Sequence, residues 1–153
     1  MASSDPALRA LVDERDIRDL IRNAWAGLDR KDWDAYANAF AQDGEFEILG
    51  QRRKGRAEIV AGPARDLQRY DALQHIVTNE LVRVDGDEAE GQWYAIAVHV
   101  PDASDPASHA DVGLRYGFRA RRTQDGWRFA EVTLEVLWTG GASFSIPDHA
   151  DDA

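Results

Sequence analysis

The segment that decides the fold runs from residue 72 to residue 100, ALQHIVTNELVRVDGDEAEGQWYAIAVHV. Two stretches in it, at about 72–84 and 88–100, alternate apolar and polar side chains with a period of two, which indicates half-buried β-strands. The Asp85-Gly86-Asp87 sequence between them is typical of a tight turn. The two strands are therefore expected to form an antiparallel hairpin with one buried face.

Two further stretches with the same pattern follow, at about 111–123 and 127–138. The Gln124-Asp125-Gly126 sequence between them again predicts a tight turn. The longer polar segment PDASDPASHA, residues 101–110, is expected to form a loop at the mouth of a pocket. Four long strands joined in this way predict an antiparallel meander.

Helices are predicted ahead of this meander. Apolar residues recur every three or four positions in a first helix that should end near Asp29. A short second helix is expected from Asp32 to about Phe40, followed by a break at Asp43-Gly44 and a short strand. Residues 55–70 predict a weaker helix interrupted at Gly62-Pro63. Helices followed by an antiparallel sheet indicate an α+β domain, in which a curled sheet packs against three N-terminal helices around a cavity.

The composition limits the function classes that are expected. With 153 residues and a formal net charge of −10, the chain has single-domain size and an acidity that argues against nucleic acid and anionic membranes as partners. It has no run of about 18 apolar residues and no signal-peptide pattern, so a cytoplasmic protein is predicted. The four histidines lack metal-ligand spacing and there is no cysteine, so no metal and no other cofactor is expected.

Alternation identifies side chains that should face the cavity. Trp93 and His99 share one face of their strand, and Tyr116 and Phe118 share the inward face of the next one. His75 is expected to share its face with Leu73, Val77 and Leu81. Each of these two histidines is either a satisfied core residue or a group in the pocket, and the sequence leaves both interpretations open.

Asp29 is the acid placed to pair with one of these histidines, because a carboxylate at the end of the first helix can reach the sheet. An aspartate behind a histidine fixes the ring tautomer and stabilises the imidazolium, which makes the histidine a general base. The alternative is that Asp29 and Asp32 only cap the second helix, although Asp32 alone can do so.

Four stretches carry a resemblance to a known family: GLDRKDWDAY (27–36), LQHIVTN (73–79), YAIAVHV (94–100) and GWRFAEVTLEVLW (126–138). Their order and spacing resemble the SnoaL-like branch of the nuclear transport factor 2-like superfamily, which includes scytalone dehydratase and hexachlorocyclohexane dehydrochlorinase. The resemblance covers about residues 8–140 of a single domain (1–153) and leaves 141–153 as a tail. It implies a cone-shaped sheet, an α+β barrel, around an apolar cavity.

The resemblance also implies roles for particular residues. His75 matches the catalytic base of the family, Asp29 its orienting acid, and His99 a second histidine that assists departure of the leaving group. The tyrosines and the asparagine with which scytalone dehydratase contacts its substrate fall here at Leu28, Ile48 and Tyr116. The basic residues of the dehydrochlorinase fall at Ala24 and Val132. We therefore expect a lyase or isomerase for a different small, apolar, cyclic substrate, contacted by Tyr116, Trp93, Trp25, Ile48, Leu28 and Phe118.

Two other functions stay open at this point. One is a non-catalytic module that binds a small molecule on the same fold. The other is an interaction subunit resembling the small subunit of ring-hydroxylating dioxygenases, which supplies no catalytic residue. The apolar character of both sides of the last strand predicts a homo-oligomer, and the resemblance favours a trimer over a dimer. A homo-oligomer with an open pocket would argue against the interaction subunit.

Overall fold

The computed structural model describes residues 5–141. Within that range the helices are α1 (Pro6–Asp29), α2 (Trp33–Asn38) and α3 (Arg56–Asp66), with a 3-10 turn at Pro106–Ser108. The strands are β1 (Phe40–Ile48), β2 (Gln51–Lys54), β3 (Ala72–Asp85), β4 (Glu88–Val100), β5 (Ala110–Thr123) and β6 (Gly126–Gly141). The predicted tail lies outside the described residues, apart from Gly141, which ends β6.

The strands form one sheet in the order β2-β1-β6-β5-β4-β3. Neighbouring strands are antiparallel except for β1 and β6, which are parallel. The sheet is curled but not closed, and three helices pack against it. The predicted α+β architecture is confirmed, with one parallel pair in a sheet that was expected to be antiparallel throughout.

Each of the two N-terminal helices begins directly after an aspartate that caps it. Asp5 caps α1 by accepting a hydrogen bond from the Ala7 N–H at 2.9 Å. Asp32 caps α2 by accepting from the Ala35 N–H at 3.0 Å. Asp32 therefore caps α2 alone, and the Asp29 carboxylate at the end of α1 points elsewhere.

The predicted breaks at two glycine-containing pairs are wrong. Strand β1 begins at Phe40 and passes through Asp43-Gly44, which the structure accommodates with a bulge against β6. Helix α3 continues through Gly62 and Pro63 to Asp66, although a proline there removes one helical hydrogen bond. Strand β2, which follows the turn at Leu49-Gly50, was not predicted.

Two more bulges change which residues face the cavity. Leu81 was expected beside His75, but its exposed fraction is 62% because β3 carries a bulge around Asn79, whose φ is 55°. In β6 a register shift places Trp138 opposite Gly113 on the outer face. A Cβ on Gly113 would lie 2.1 Å from the indole, so the missing side chain leaves room for Trp138.

The outer face of the sheet carries a row of exposed apolar side chains. Ile76 on β3 is in register with Ile96 on β4, which is in register with Gly113 beneath Trp138. Ile76, Ile96 and Trp138 are each exposed, and they form what we call the apolar row. The predicted homo-oligomer stays a prediction, and this row is the surface on which it would form.

Aromatic packing joins α1 to the middle of the sheet. The Trp25 ring meets the rings of Trp93 and Tyr116 edge-on, each at 4.9 Å between centroids. Trp93 stacks on Tyr116 at 4.8 Å. Nearer its start, α1 is fixed by Asp13, which accepts hydrogen bonds from Arg122 at 2.8 Å and from the Trp127 indole at 3.3 Å. These contacts hold the end of α1 over the concave face of the sheet.

Candidate active site

A cavity of about 230 Å³ lies between the concave face of the sheet and the helices. Its walls are mainly apolar, with Leu28 from α1, Ile48 from β1, Leu114 from β5 and Val136 from β6. Polar side chains line it at a few points: Tyr36, Gln51, Arg53, Asp66, His75, His99 and Tyr116. An apolar cavity with a few convergent polar groups is the usual form of a small-molecule site.

Asp29 and His75 are joined by two hydrogen bonds. The ring Nδ1 of His75 is 2.6 Å from Asp29 Oδ1, and the main-chain N–H of His75 donates to Asp29 Oδ2 at 2.9 Å. Both carboxylate oxygens are thus used to fix one residue. With Nδ1 carrying the proton donated to Asp29, Nε2 is the lone-pair nitrogen of the ring. The predicted pairing of these two residues is present in the structure.

The setting of Asp29 is costly for a carboxylate and is compensated by His75. Asp29 is the last residue of α1, where the helix dipole is unfavourable for a negative charge. Burial by itself would raise the pKa of Asp29, but the hydrogen bonds and the attraction from His75 lower it below its usual value. Asp29 is therefore ionised at neutral pH and available to stabilise a positive ring.

His99 lies beside the pair and is neutral at neutral pH. Its ring is 6.3 Å from the ring of His75 and 4.9 Å from that of Tyr70, between centroids. Burial, followed by repulsion from His75, lowers the pKa of His99 to about 4. An acid role for His99 would therefore depend on the N–H of the neutral ring.

Tyr36 and Tyr116 bring two hydroxyl groups to the cavity. Burial raises the pKa of each well above its usual value of 10. Both hydroxyls therefore keep their protons at neutral pH and can donate hydrogen bonds to a ligand. Since a buried phenol favours an acceptor partner, an oxygen atom of a ligand would satisfy either of them.

Residues 9–133 match the family model of the SnoaL-like domain. The chain belongs to the SnoaL-like family. This confirms the resemblance to the nuclear transport factor 2-like superfamily. A search of curated protein sequences finds no match.

Solved structures of the same fold accompany this family match. A candidate aromatic ring hydroxylase from Novosphingobium aromaticivorans is 27% identical, with a TM-score of 0.77 over 86% of this chain and 94% of that one. A candidate scytalone dehydratase from the same organism is 18% identical, with a TM-score of 0.75 over 88% and 91%. Hexachlorocyclohexane dehydrochlorinase of type 3 from Novosphingobium barchaimii is also 18% identical, with a TM-score of 0.77 over 92% and 99%.

The structure sorts the predicted substrate contacts of this SnoaL-like domain into two groups. The cavity is lined by four of the predicted contacts, Trp25, Leu28, Ile48 and Tyr116. The two predicted catalytic histidines, His75 and His99, line it as well. Trp93 and Phe118 do not line it, which corrects that part of the prediction. Trp93 lies behind Tyr116, whose ring covers it, and Phe118 packs against Trp93 at 5.6 Å between centroids.

Four polar residues of the cavity were missed from sequence, namely Tyr36, Gln51, Arg53 and Asp66. Tyr36 shares a helix face with apolar residues in α2, so it was assigned to the core. Arg53 lies in the unpredicted strand β2, in the charged run Arg52-Arg53-Lys54. The sequence did contain one signal for Arg53. If residues 52–54 form a strand, side chains alternate between its two faces, so Arg53 points to the face opposite to that of Arg52 and Lys54.

Neither a metal cluster nor a membrane span is found in the described part of the SnoaL-like domain. In residues 5–141 no three histidine, aspartate or glutamate side chains come together in a way that could hold a metal ion. No helix in the same range is long and apolar enough to cross a membrane.

Proposed function

We propose that the protein is a cofactor-free lyase, which removes a proton from a small, largely apolar cyclic substrate and expels a neighbouring leaving group. The observation that carries this proposal is the double hydrogen bond from His75 to Asp29. It leaves Nε2 of a buried ring as the proton acceptor, in a side chain whose exposed fraction is 5%. An aspartate at the end of a helix, where its charge is unfavourable, is typical of a residue kept for function.

The steps assigned to the cavity residues balance as an elimination. Nε2 of His75 takes the proton, and the electrons of the broken C–H bond form the new double bond as the leaving group departs with its own bonding pair. Asp29 stabilises the imidazolium. The hydroxyls of Tyr116 and Tyr36 donate hydrogen bonds to an oxygen that gains negative charge. The imidazolium then returns its proton to the departing group, so the enzyme is restored.

The comparisons support the reaction class, and one of them favours a particular alternative. Two neighbours of the same fold are named for the removal of water and of hydrogen chloride, which are both eliminations. The neighbour at 27% identity is named for ring hydroxylation, which favours an interaction subunit of an oxygenase as the second candidate. Such a subunit has no need for the hydrogen bonds between Asp29 and His75.

Proton abstraction can be tested before the leaving group is known. The purified protein is incubated in D₂O with a panel of cyclic ketones and cyclic β-hydroxy ketones, and loss of the α-proton is followed by ¹H NMR. We expect catalysed exchange with at least one compound and none with His75→Ala. Asp29→Asn should fold normally and lose about 10²–10⁴-fold in rate, because an amide supports neither the tautomer nor the imidazolium.

The matched control is His109→Gln, since His109 lies in the loop before β5 and does not line the cavity. Its exchange rate should equal that of the wild type. Exchange that persists at the wild-type rate in His75→Ala would overturn the assignment. Absence of exchange with every compound would favour the interaction subunit, which is then tested by its mass in complex with a large oxygenase subunit.

A further inference from the structure

Arg53 brings a positive charge into a cavity whose walls are mainly apolar. It lies on the edge strand β2 and is half-buried. Its neighbour Arg52 points outward and donates to Glu45 at 2.7 Å and to Glu47 at 2.8 Å. Among residues 5–141, by contrast, no carboxylate forms an ion pair with Arg53. A half-buried guanidinium left without an anion is costly, because its lost hydration is not replaced.

The backbone of α3 is shaped to receive this guanidinium. A Cβ on Gly62 would lie 2.0 Å from Arg53 Nη1 and 2.6 Å from its Cζ. Glycine at this position therefore lets the guanidinium pack directly against the helix backbone. Glycine inside a helix costs about 1 kcal/mol relative to alanine.

The acids near the cavity are already engaged. Asp66, which lines it, accepts hydrogen bonds from its neighbour Arg65 at 2.8 and 3.3 Å. Asp29 is held by His75. The side of the Arg53 guanidinium that does not face α3 is therefore available to a ligand, and a carboxylate is the group that fits a guanidinium with two parallel hydrogen bonds.

Arg53 and His75 enter the site from different strands. They lie on β2 and β3, which are the two edge strands of the curled sheet, and both line the same cavity. Much of the remaining lining is apolar, with Leu114 and Val136 among its residues. A ligand that touches both residues has an anionic group at Arg53, an apolar body, and its reacting C–H bond at His75.

We propose that Arg53 is the carboxylate-binding residue of this cavity, and that the ligand is an apolar cyclic carboxylic acid. This deepens the proposed function, since it names the substrate class of the same site. The binding step itself does not need the histidine to react. The carboxylate stays unchanged and serves to orient the ring so that its far edge meets Nε2 of His75.

The test compares one acid with its neutral amide. Binding of 2-naphthoate and 2-naphthamide to the whole protein is measured at pH 7.5 by calorimetry and by ligand-observed NMR. The wild type should bind the acid more tightly than the amide. Arg53→Gln should weaken binding of 2-naphthoate about 10- to 100-fold and leave that of 2-naphthamide unchanged. Arg52→Gln, the neighbouring charge on the outer side, should change neither affinity.

Two further variants distinguish a loss of carboxylate binding from a loss of folding and from a loss of catalysis. Arg53→Lys keeps the charge but loses the two-pronged geometry, so it should bind 2-naphthoate with intermediate affinity. His75→Ala should still bind 2-naphthoate more tightly than 2-naphthamide, because Arg53 holds the carboxylate, so a failed exchange experiment leaves this result standing. Equal affinity of the wild type for acid and amide, wild-type affinity in Arg53→Gln, or no saturable binding of 2-naphthoate at millimolar concentration would each overturn the proposal.

Discussion

The buried neutral His99 should make the stability of the protein depend on pH, and His99→Gln should remove that dependence. The pKa of His99 is about 4 in the folded protein, against 6.5 for an ordinary histidine. Because the folded value is the lower one, the unfolded chain takes up the proton first as the pH falls. The contribution of His99 is therefore fully present above about pH 6.5 and is lost progressively towards pH 4.

The size of this change in stability follows from the interval between the pKa of His99 in the folded protein and that in the unfolded chain. Each pH unit in it changes the free energy of unfolding by about 1.4 kcal/mol, so the wild type should lose about 2 kcal/mol between pH 6.5 and pH 5 through His99 alone. Asp29 adds to the loss only below its ordinary value of 3.8, because its folded pKa is lowered. The pH range from 7.5 to 5 thus isolates the histidine from Asp29.

Urea unfolding of the wild type and of His99→Gln at pH 7.5, 6 and 5 measures the effect. The difference between the two proteins should shrink by about 2 kcal/mol from pH 7.5 to pH 5, since groups common to both proteins cancel. His75, Arg69 and Tyr70 face His99 and are unchanged in the variant. Parallel pH profiles for the two proteins, or a His99 ring signal in NMR that titrates near pH 6.5, would refute the reasoning.

Three further perturbations test other parts of the structure. Asp13→Ala should lower the free energy of unfolding by about 2–4 kcal/mol, because it removes the acceptor of the buried Trp127 indole and one of the two acids that pair with Arg122. Asp16→Ala on the exposed side of α1 should cost under about 0.5 kcal/mol, and equal losses in urea titrations would contradict this. Leu49→Asn should raise stability by about 1 kcal/mol, because Leu49 has a φ of 52°, a conformation that asparagine tolerates better; an unchanged melting temperature would argue against strain at this turn. Ile96→Lys in the apolar row should convert the predicted homo-oligomer into monomers, and light scattering measures the mass of each protein. A wild type that is already monomeric at micromolar concentration would show that the row is no interface.

The long strands and the residues on them could be predicted from sequence because their pattern is local. In β4 and β5 the alternation runs without interruption from end to end, so the inward positions of His99 and Tyr116 follow from it directly. Asp29 could be placed because the helix that carries it has a continuous apolar stripe. These two facts left His75 and His99 as possible partners of Asp29, and the family resemblance selected His75.

The parts that could not be predicted depend on contacts between distant segments. A bulge shifts alternation by one residue, and nothing in the sequence around Asn79 marks where the pairing slips, so Leu81 was placed on the wrong face. Arg53 was missed because no strand was predicted for the charged run, and only alternation within a strand sets Arg53 apart from Arg52 in the sequence. The difference lies in Gly62, nine residues further along the chain, where the helix leaves room for one guanidinium.

The parallel pairing of β1 with β6 has a consequence for how the chain reaches its native state. Residues 40–48 are synthesised long before residues 129–134, with which they pair. Until β6 has been made, β1 and its hairpin partner β2 have no place in the sheet, while β3, β4 and β5 can already assemble as neighbours. Pairing across so long a loop is slow. The edge that carries Arg53 therefore docks late, and a nascent chain holds the histidine side of the cavity before it holds the arginine side.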